Sequence, residues 1–334
     1  MLTAGLEIGS RELVLFTSGT WSRFSNDAGG HRKLVRYLGK RGAVRVCLEA
    51  TGRYHLDVAL ALHRSPQVQL YVLNPWAARR FAEAGLRRAK TDRVDAAALA
   101  EYAERMPLRE WAPPTPTTLH VQAITRRMQQ LADRKSSEGS RLHALLASRA
   151  LPQVVVQSVR DELSHLDAQL AALQLEAREV VRGDGHLDQL LQRLLTIPGI
   201  GERSALYLVG ELAPLGGDMS VRQLVAHAGL DPRPIDSGSS VHKPRRISKR
   251  GNARLRRILY LTALVAARFD ERFGAFYAAL QQRQKTKRAA LVAVMRKQLH
   301  GIWGVWRSGT DYDGDRLFPH FKGVSSTLEP ATPP

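Results

Sequence analysis

The sequence predicts a mixed α/β N-terminal domain, a helical coiled-coil middle and a mainly α C-terminal domain. In the first third of the 334 residues, strand-like apolar runs alternate with helical segments. A heptad spacing of apolar residues follows, and apolar helices separated by glycine and proline make up the rest. We expect domains at 1–106, 107–190 (linker and helical hairpin) and 191–308, with a tail at 309–334.

The N-terminal domain is expected to begin with two strands, AGLEI and ELVLF, joined by a tight hairpin at Gly9 and Ser10. A helix from Gly30 to Leu38 follows, and then the strand AVRVCLEA. A second helix, Tyr54 to His63, leads to the strand VQLYVLN and completes a strand–helix–strand unit. The last element is a helix over TDRVDAAALAEYAERM.

Two long helices are predicted after the prolines at 107, 113, 114 and 116. The second helix has a heptad seam made of Val159, Leu163, Leu166, Leu170, Leu173, Ala177 and Val180. The first shows the same steps, with interruptions, at Ile124, Met128, Leu131, Leu142 and Leu145. We interpret the pair as an antiparallel hairpin, either within an ordinary bundle or as a dimerisation surface. Since two helices bury little surface by themselves, dimerisation is favoured.

The C-terminal domain is expected to start with a helix-hairpin-helix, because IPGIG lies between two apolar helical runs. In such a turn, Gly199 and Gly201 would let backbone amides approach a nucleic-acid phosphate. A tight glycine turn without a ligand is the alternative. Further helices are expected as far as about Trp306.

The composition is strongly basic, with 50 lysines and arginines against 31 acids and a formal net charge of +19. Such a surplus attracts a polyanion, because each neutralised phosphate releases counterions. The single cysteine, Cys47, excludes an internal disulfide or a cysteine zinc site and is expected to be a core residue on a strand. Without a signal-peptide pattern or a long apolar run, the chain is expected in the cytoplasm, associated with the nucleoid.

Four acidic residues are the candidate metal ligands of the N-terminal domain: Glu7, Glu49, Asp92 and Asp95. Glu7 and Glu49 lie on predicted strands, and Asp92 and Asp95 share one face of a helix that Thr91 could cap. Mg²⁺ prefers such hard oxygen ligands. Two acids in the first turn of a helix often only compensate its dipole, but Glu49 lies in an apolar strand, where an unpaired charge is costly.

A serine at the start of a very basic stretch is the candidate nucleophile. Ser237 precedes Gly238, which would let the loop approach a substrate, and Ser239 and Ser240 are rivals at the same site. No acid occurs between Ser237 and Phe269. Eight cationic residues in that stretch form a predicted phosphate-binding surface, with Asn252 as a helix N-cap: Lys243, Arg245, Arg246, Lys249, Arg250, Arg254, Arg256 and Arg257.

The chain resembles the IS110 family of insertion-sequence transposases, which also includes the pilin-gene invertases. The resemblance runs from about Leu6 to Trp306 and depends on motifs in a fixed order: LEIGSREL, CLEATGRYH, VLNPWAARRFAEAGLRRAKTDRVDAAALAEY, LLTIPGIGERSALYLVGEL, AHAGLDPRPIDSGS and ISKRGNARLRRILYLTA.

The resemblance implies a RuvC-like N-terminal domain of ribonuclease H type with a DEDD set of magnesium ligands. Glu49, Asp92 and Asp95 match the second to fourth acids, and Ser237 matches the nucleophile that forms a phosphoserine with DNA. It further implies a bridge-type guide RNA and a homo-oligomer, dimer or tetramer, in which different protomers supply the two domains. The first acid of the family pattern is aspartate, so Glu7 is a departure that is expected to weaken metal binding.

Two other functions are compatible with these motifs. A metal-only nuclease of RuvC type would need the acids but not Ser237. A decayed transposase would keep only nucleic-acid binding through its basic surface.

Overall fold

The computed structural model describes residues 1–52, 54–85, 91–147, 152–215, 219–233, 236–237, 241–242, 246–283 and 286–321, with the backbone alone at 236–237, 241–242 and 321. The chain forms two compact units, Met1–Pro113 and Pro114–Pro334. No helix within the described ranges is both long enough and apolar enough to cross a bilayer.

The N-terminal unit contains one five-stranded sheet with helices on both faces. Its elements are β1 (Leu2–Ile8), β2 (Glu12–Thr17), β3 (Thr20–Ser25), α1 (Ala28–Gly39), β4 (Val44–Glu49), α2 (Leu56–His63), β5 (Val68–Leu73), α3 (Pro75–Ala84) and α4 (Asp92–Arg105). The strand order is β3-β2-β1-β4-β5, with β1–β4 and β4–β5 parallel and the other two pairs antiparallel. The predicted mixed α/β class is confirmed.

The two faces of this sheet have different partners, because side chains alternate along a strand. Ala4, Leu6 and Ile8 of β1 belong to a buried cluster that includes residues of α1 and α2. Gly5 faces the other way, onto α4. On β4, Cys47 is buried with Leu99 of α4, as its predicted place in the core requires. Burial raises the pKa of the Cys47 thiol to about 12, so the thiol is inert at neutral pH.

The C-terminal unit is built mainly from helices. Its elements are α5 (Pro116–Leu146), α6 (Gln153–Arg182), α7 (Gly185–Leu195), α8 (Glu202–Leu212), α9 (Val221–His227), β6 (Pro232–Arg233), β7 (Asp236–Ser237), β8 (Val241–His242), β9 (Arg246–Ile247), α10 (Ala253–Phe269), α11 (Glu271–Gln282), α12 (Lys287–Ser308) and α13 (Gly314–Leu317). Short 3₁₀ turns lie at Ala213–Leu215 and Pro319–Phe321.

The two long helices α5 and α6 pack against each other and against the rest of the unit. Met128 of α5 and Leu166 of α6 belong to one hydrophobic core with Leu206 of α8. Four positions of the predicted α6 seam are buried and the other three are half-buried: Val159, Leu166, Leu170 and Ala177, then Leu163, Leu173 and Val180. Pairing of this hairpin with a second chain stays a prediction, as does the separation of residues 107–190 from 191–308.

Candidate functional site

Glu7 and Glu49 lie side by side on neighbouring parallel strands. In the register of β1 and β4, Leu6 is opposite Leu48, and each strand continues by one residue to its glutamate. Leu6 and Leu48 both point into the cluster under α1 and α2. The alternation of the pleat therefore directs Glu7 and Glu49 to the opposite face, the one that α4 covers.

Helix α4 approaches that face closely because β1 has a glycine at the crossing point. A Cβ on Gly5 would lie 1.9 Å from the carbonyl oxygen of Ala96 and 2.4 Å from the amide nitrogen of Ala100. Asp95 immediately precedes Ala96, and Asp92 lies one turn earlier. The contact at Gly5 therefore places the first turn of α4 beside Glu7, which is two residues further along β1 on the same face.

The start of α4 is held in two ways. Thr91 caps the helix as predicted, and its hydroxyl accepts a hydrogen bond from the amide of Val94 at 3.3 Å. The indole Nε1 of Trp21, on β3, donates to the carbonyl oxygen of Arg93 at 3.2 Å. These contacts fix the turn that contains both aspartates.

The other three predicted acids lie near enough to Glu7 to influence its pKa. Burial raises the pKa of Glu7 from its ordinary value, and the charges of Glu49, Asp95 and Asp92 raise it further, to about 7. Glu7 is therefore partly protonated at neutral pH. A carboxylate held among three others is a place where a cation would relieve repulsion.

The donor set fits a hard divalent cation such as Mg²⁺, since all four side chains offer carboxylate oxygens. In the part of the chain that the structure describes, no three His, Cys, Asp or Glu side chains already stand close enough together to hold one ion. The carboxylates would therefore have to move inward to ligate a metal, and their role as ligands stays a prediction.

Ser237 lies on a two-step β-hairpin in the C-terminal unit. The base of the hairpin pairs β6 with β9, where Pro232 is opposite Ile247. The upper part pairs β7 with β8, where Ser237 is opposite Val241. The side chain of Ser237 and the whole of its rivals, Ser239 and Ser240, lie outside the described residues.

The hairpin is anchored at its base by hydrogen bonds. The hydroxyl of Ser248 donates to Asp231 Oδ1 at 2.5 Å, and the amide of Ser248 donates to the Asp231 carbonyl at 2.9 Å. The amide of Lys249, which has a positive φ of 53°, donates to the carbonyl of Gly229 at 3.1 Å. The two chain segments that enter and leave the hairpin are therefore joined just below it.

A buried glutamate that the sequence analysis did not single out supports this region. Glu211 of α8 is 2% exposed and accepts hydrogen bonds from Arg126 Nε at 2.8 Å and Arg126 Nη2 at 3.1 Å. It also accepts one from Asn252 Nδ2 at 2.6 Å. Asn252 is the N-cap of α10, as predicted, and its Oδ1 accepts from the amides of Arg254 and Leu255. Glu211 thus ties the helix that follows the hairpin to α5 and α8.

The predicted basic surface is partly described. Five of its members are exposed: Arg246, Lys249, Arg250, Arg254 and Arg257. Arg257 forms an ion pair with Asp133, so its charge is already partly compensated. Arg256, half-buried, donates from Nη1 to the carbonyl of Ala228 at 3.0 Å. Lys243 and Arg245 lie outside the described residues.

The predicted glycine turn joins α7 to α8. Gly199 has a φ of +81°, and a Cβ there would lie 2.4 Å from the carbonyl oxygen of Thr262 in α10. Close packing inside the unit therefore explains Gly199 without a ligand. Gly201 is exposed at the N-cap of α8, with open space where a Cβ would be. Phosphate binding at this turn stays a prediction.

Comparison with known proteins finds two matching family models. The IS110 DEDD transposase family model, described as Transposase, matches residues 15–149, which include Glu49, Asp92 and Asp95 but not Glu7. A second model, described as Transposase IS116/IS110/IS902 family, matches residues 191–278, which include Ser237.

Individual relatives extend the similarity along the chain. The pilin gene-inverting protein of Moraxella lacunata is 26% identical over 321 residues, covering 92% of this chain and 97% of the relative. The transposase for insertion sequence element IS1328 of Yersinia enterocolitica is 28% identical over 253 residues, covering 70% and 74% respectively. With both family models matched in order along the chain, the chain belongs to the IS110 family of transposases.

Proposed function

We propose that this transposase cuts and rejoins DNA with Ser237 as nucleophile, assisted by Mg²⁺ held by Glu7, Glu49, Asp92 and Asp95. The observation that supports the proposal is geometric: Glu7 and Glu49 lie on neighbouring strands and face α4, whose first turn contains Asp92 and Asp95. The family match supports recombination of DNA as the reaction. The strand order of the N-terminal unit supports a RuvC-like, ribonuclease H-type domain.

The acids and the bound ion have separate tasks. When present, Mg²⁺ supplies positive charge at the scissile phosphate and so stabilises the negative charge that develops there. Glu49 on β4 and both Asp92 and Asp95 on α4 would hold the ion. Glu7 must first lose its proton, because only the carboxylate can ligate, and its pKa of about 7 makes this step dependent on pH near neutrality.

Ser237 holds the cut DNA strand covalently until the strand is rejoined. A bond forms between its Oγ and the DNA phosphorus while the bond from phosphorus to one deoxyribose oxygen breaks. The proton lost by the serine hydroxyl ends on the departing oxygen, so the step is balanced. Attack by the hydroxyl of a second strand on the phosphoserine reverses the chemistry, restores the serine and joins the new ends. Nearby exposed cations, Arg246 and Arg254 among them, would hold the phosphates.

We infer three further properties of the protein from the family resemblance. The protein acts as a homo-oligomer whose protomers share active sites, it binds DNA at the α7–α8 turn and the basic surface, and a bridge-type RNA guides it to its targets. RNA that copurifies with the full chain and restores activity after nuclease treatment and re-addition would support guidance. Equal recombination with and without that RNA would contradict it.

The experiment that tests the mechanism uses labelled DNA containing the element ends. Wild-type protein is expected to become covalently linked to one strand, and Ser237→Ala to bind DNA but form no adduct. Ser239→Ala and Ser240→Ala are the matched controls and should retain the adduct. Cleavage that persists in Ser237→Ala but is lost in Asp95→Asn would instead identify a metal-only nuclease. Wild-type protein that binds without cleaving would identify a decayed transposase.

A further inference from the structure

A groove lies between α1 and α2, on the face of the N-terminal sheet opposite α4. Its volume is about 620 Å³, and nine residues line it. Both helices pack on Ala4, Leu6 and Ile8, whereas Glu7 faces α4. The sheet therefore separates this groove from the acids.

The groove is strongly cationic. Arg32 and Arg36 of α1 and Arg64 at the end of α2 line it, all three are exposed, and none of them has an ion-pair partner among the described residues. Asp57 is the one acid in the lining. Burial lowers the pKa of His31, which also lines the groove, so its ring adds no charge at neutral pH.

The three arginines are arranged on two sides of the groove. Arg32 and Arg36 are one helical turn apart, which is about 6 Å along α1, and they project from the same side of that helix. Arg64 approaches from α2, at the opposite side. Between them the lining is formed by half-buried apolar side chains such as Val35 and Leu60. Some exposed arginines of the same unit are instead ion-paired, as Arg79 and Arg80 are with Glu83.

We propose that this groove, defined by Arg32, Arg36 and Arg64, binds the phosphate backbone of a DNA duplex away from the site of cutting. Guanidinium groups that form no ion pair among the described residues and stand on both walls of a groove are suited to consecutive phosphates along a strand. Because the groove and the acids lie on opposite faces of the sheet, a DNA segment held here is not the one held at Glu7. The groove thus orients a DNA segment other than the one that is cut. This inference needs DNA as a partner but neither the Ser237 chemistry nor the metal.

Salt-dependent binding of the full chain tests the groove directly. Binding of a short fluorescent DNA duplex would be measured by anisotropy between about 50 and 200 mM salt. The triple variant Arg32→Ala/Arg36→Ala/Arg64→Ala is expected to bind more weakly. Its plot of log affinity against log salt should be less steep by about 2 to 3, since each phosphate contact contributes about 0.9 to the slope.

The matched control removes three exposed arginines that are ion-paired on the same unit: Arg79→Ala/Arg80→Ala/Arg105→Ala. It changes the net charge equally, and its slope should change by less than about 1. A separate variant, Asp57→Asn, removes the one acid of the groove and should tighten DNA binding. The proposal would be overturned if both triple variants lost slope equally, or if the slope of the groove variant were unchanged. It would also be overturned if Asp57→Asn bound DNA more weakly, or if the groove variant affected the binding of duplex RNA alone.

Discussion

Gly5 of β1 and Ala96 of α4 meet backbone to backbone, and a Cβ on Gly5 would stand 1.9 Å from the Ala96 carbonyl oxygen. Real Cβ atoms do not approach so closely, so any other residue at position 5 would push α4 away from the sheet. Since Asp95 is adjacent to Ala96, the distance between α4 and β1 sets the distance between the aspartates and Glu7. The absence of a Cβ at position 5 therefore determines how close the two aspartates of α4 lie to Glu7.

The first prediction concerns this contact. Gly5→Ala should destabilise the N-terminal unit by about 2–3 kcal/mol through overpacking, and it should weaken stabilisation by Mg²⁺ because α4 is displaced. Both effects can be measured by denaturant unfolding with and without Mg²⁺. The control is Gly39→Ala on α1, where a Cβ would approach only Gln67 Oε1, at 3.9 Å. Equal behaviour of the two variants would contradict the role of Gly5.

The second prediction is a pH dependence caused by Glu7. In the unfolded chain this carboxyl ionises near 4.5, whereas in the folded protein its pKa is about 7. Between these values the unfolded state releases a proton that the folded state keeps, so the wild type loses stability as pH rises to 7 and regains none above it. Glu7→Gln cannot ionise. Without metal, it should match the wild type near pH 4 and exceed it by about 1 kcal/mol at pH 8, allowing for solvent screening.

Two additions to that experiment identify the cause. Glu49→Gln removes the largest charge contribution to the raised pKa of Glu7, so the pH-dependent loss of stability should be smaller and should level off at a lower pH. Mg²⁺ should stabilise the wild type increasingly as pH passes 7, and stabilise Glu7→Gln much less, because the amide is a weaker ligand. A stability difference between wild type and Glu7→Gln that stays constant from pH 4 to 8 would rule out the raised pKa.

The third prediction concerns the departure of this chain from the family's acidic pattern. Glu7→Asp shortens the side chain by one carbon–carbon bond, about 1.5 Å, which should draw the carboxylate into line with a DEDD set. Recombination of element ends should increase, and stabilisation by Mg²⁺ should appear at lower concentration. Glu49→Asp, the same shortening at a position that matches the family, should lower activity. No change, or a loss, in Glu7→Asp would show that the glutamate is suited to its site.

The sequence predicted the strands and helix that contain the four acids, but not why they meet. Periodicity placed Glu7 and Glu49 on strands, yet the pairing of β1 with β4, which makes them neighbours, depends on sheet order rather than local pattern. Likewise, the local sequence does not distinguish Gly5 from other strand glycines, because its role depends on the close approach of α4 in the folded unit.

Two elements of the N-terminal unit were missed for different reasons. Strand β3 has no buried residue, so it lacks the apolar alternation by which strands are recognised. It nevertheless provides Trp21, which holds the start of α4. Helix α3 has no buried residue either, although Asn74 followed by Pro75 is a sequence signal for a helix start that could have revealed it.

The fourth prediction concerns the support of the Ser237 hairpin by Glu211. Arg126→Ala would leave this buried carboxylate with Asn252 as its remaining partner, and loss of one partner from a buried ion pair costs about 3–5 kcal/mol. Because Arg126 is itself 29% exposed, we expect a cost near the lower end, about 3 kcal/mol. The control on the same helix is Arg134→Ala, whose pair with Glu162 lies at the surface and should contribute less than about 1 kcal/mol. Unfolding of the full chain in urea measures the stability of both variants.

Equal losses of stability in the two variants would show that the Arg126–Glu211 pair is not a buried anchor. If only Arg126→Ala is destabilised, its yield of covalent DNA adduct should also fall under conditions in which the protein stays folded. The reason is that Asn252, which Glu211 holds, caps the helix directly after the hairpin.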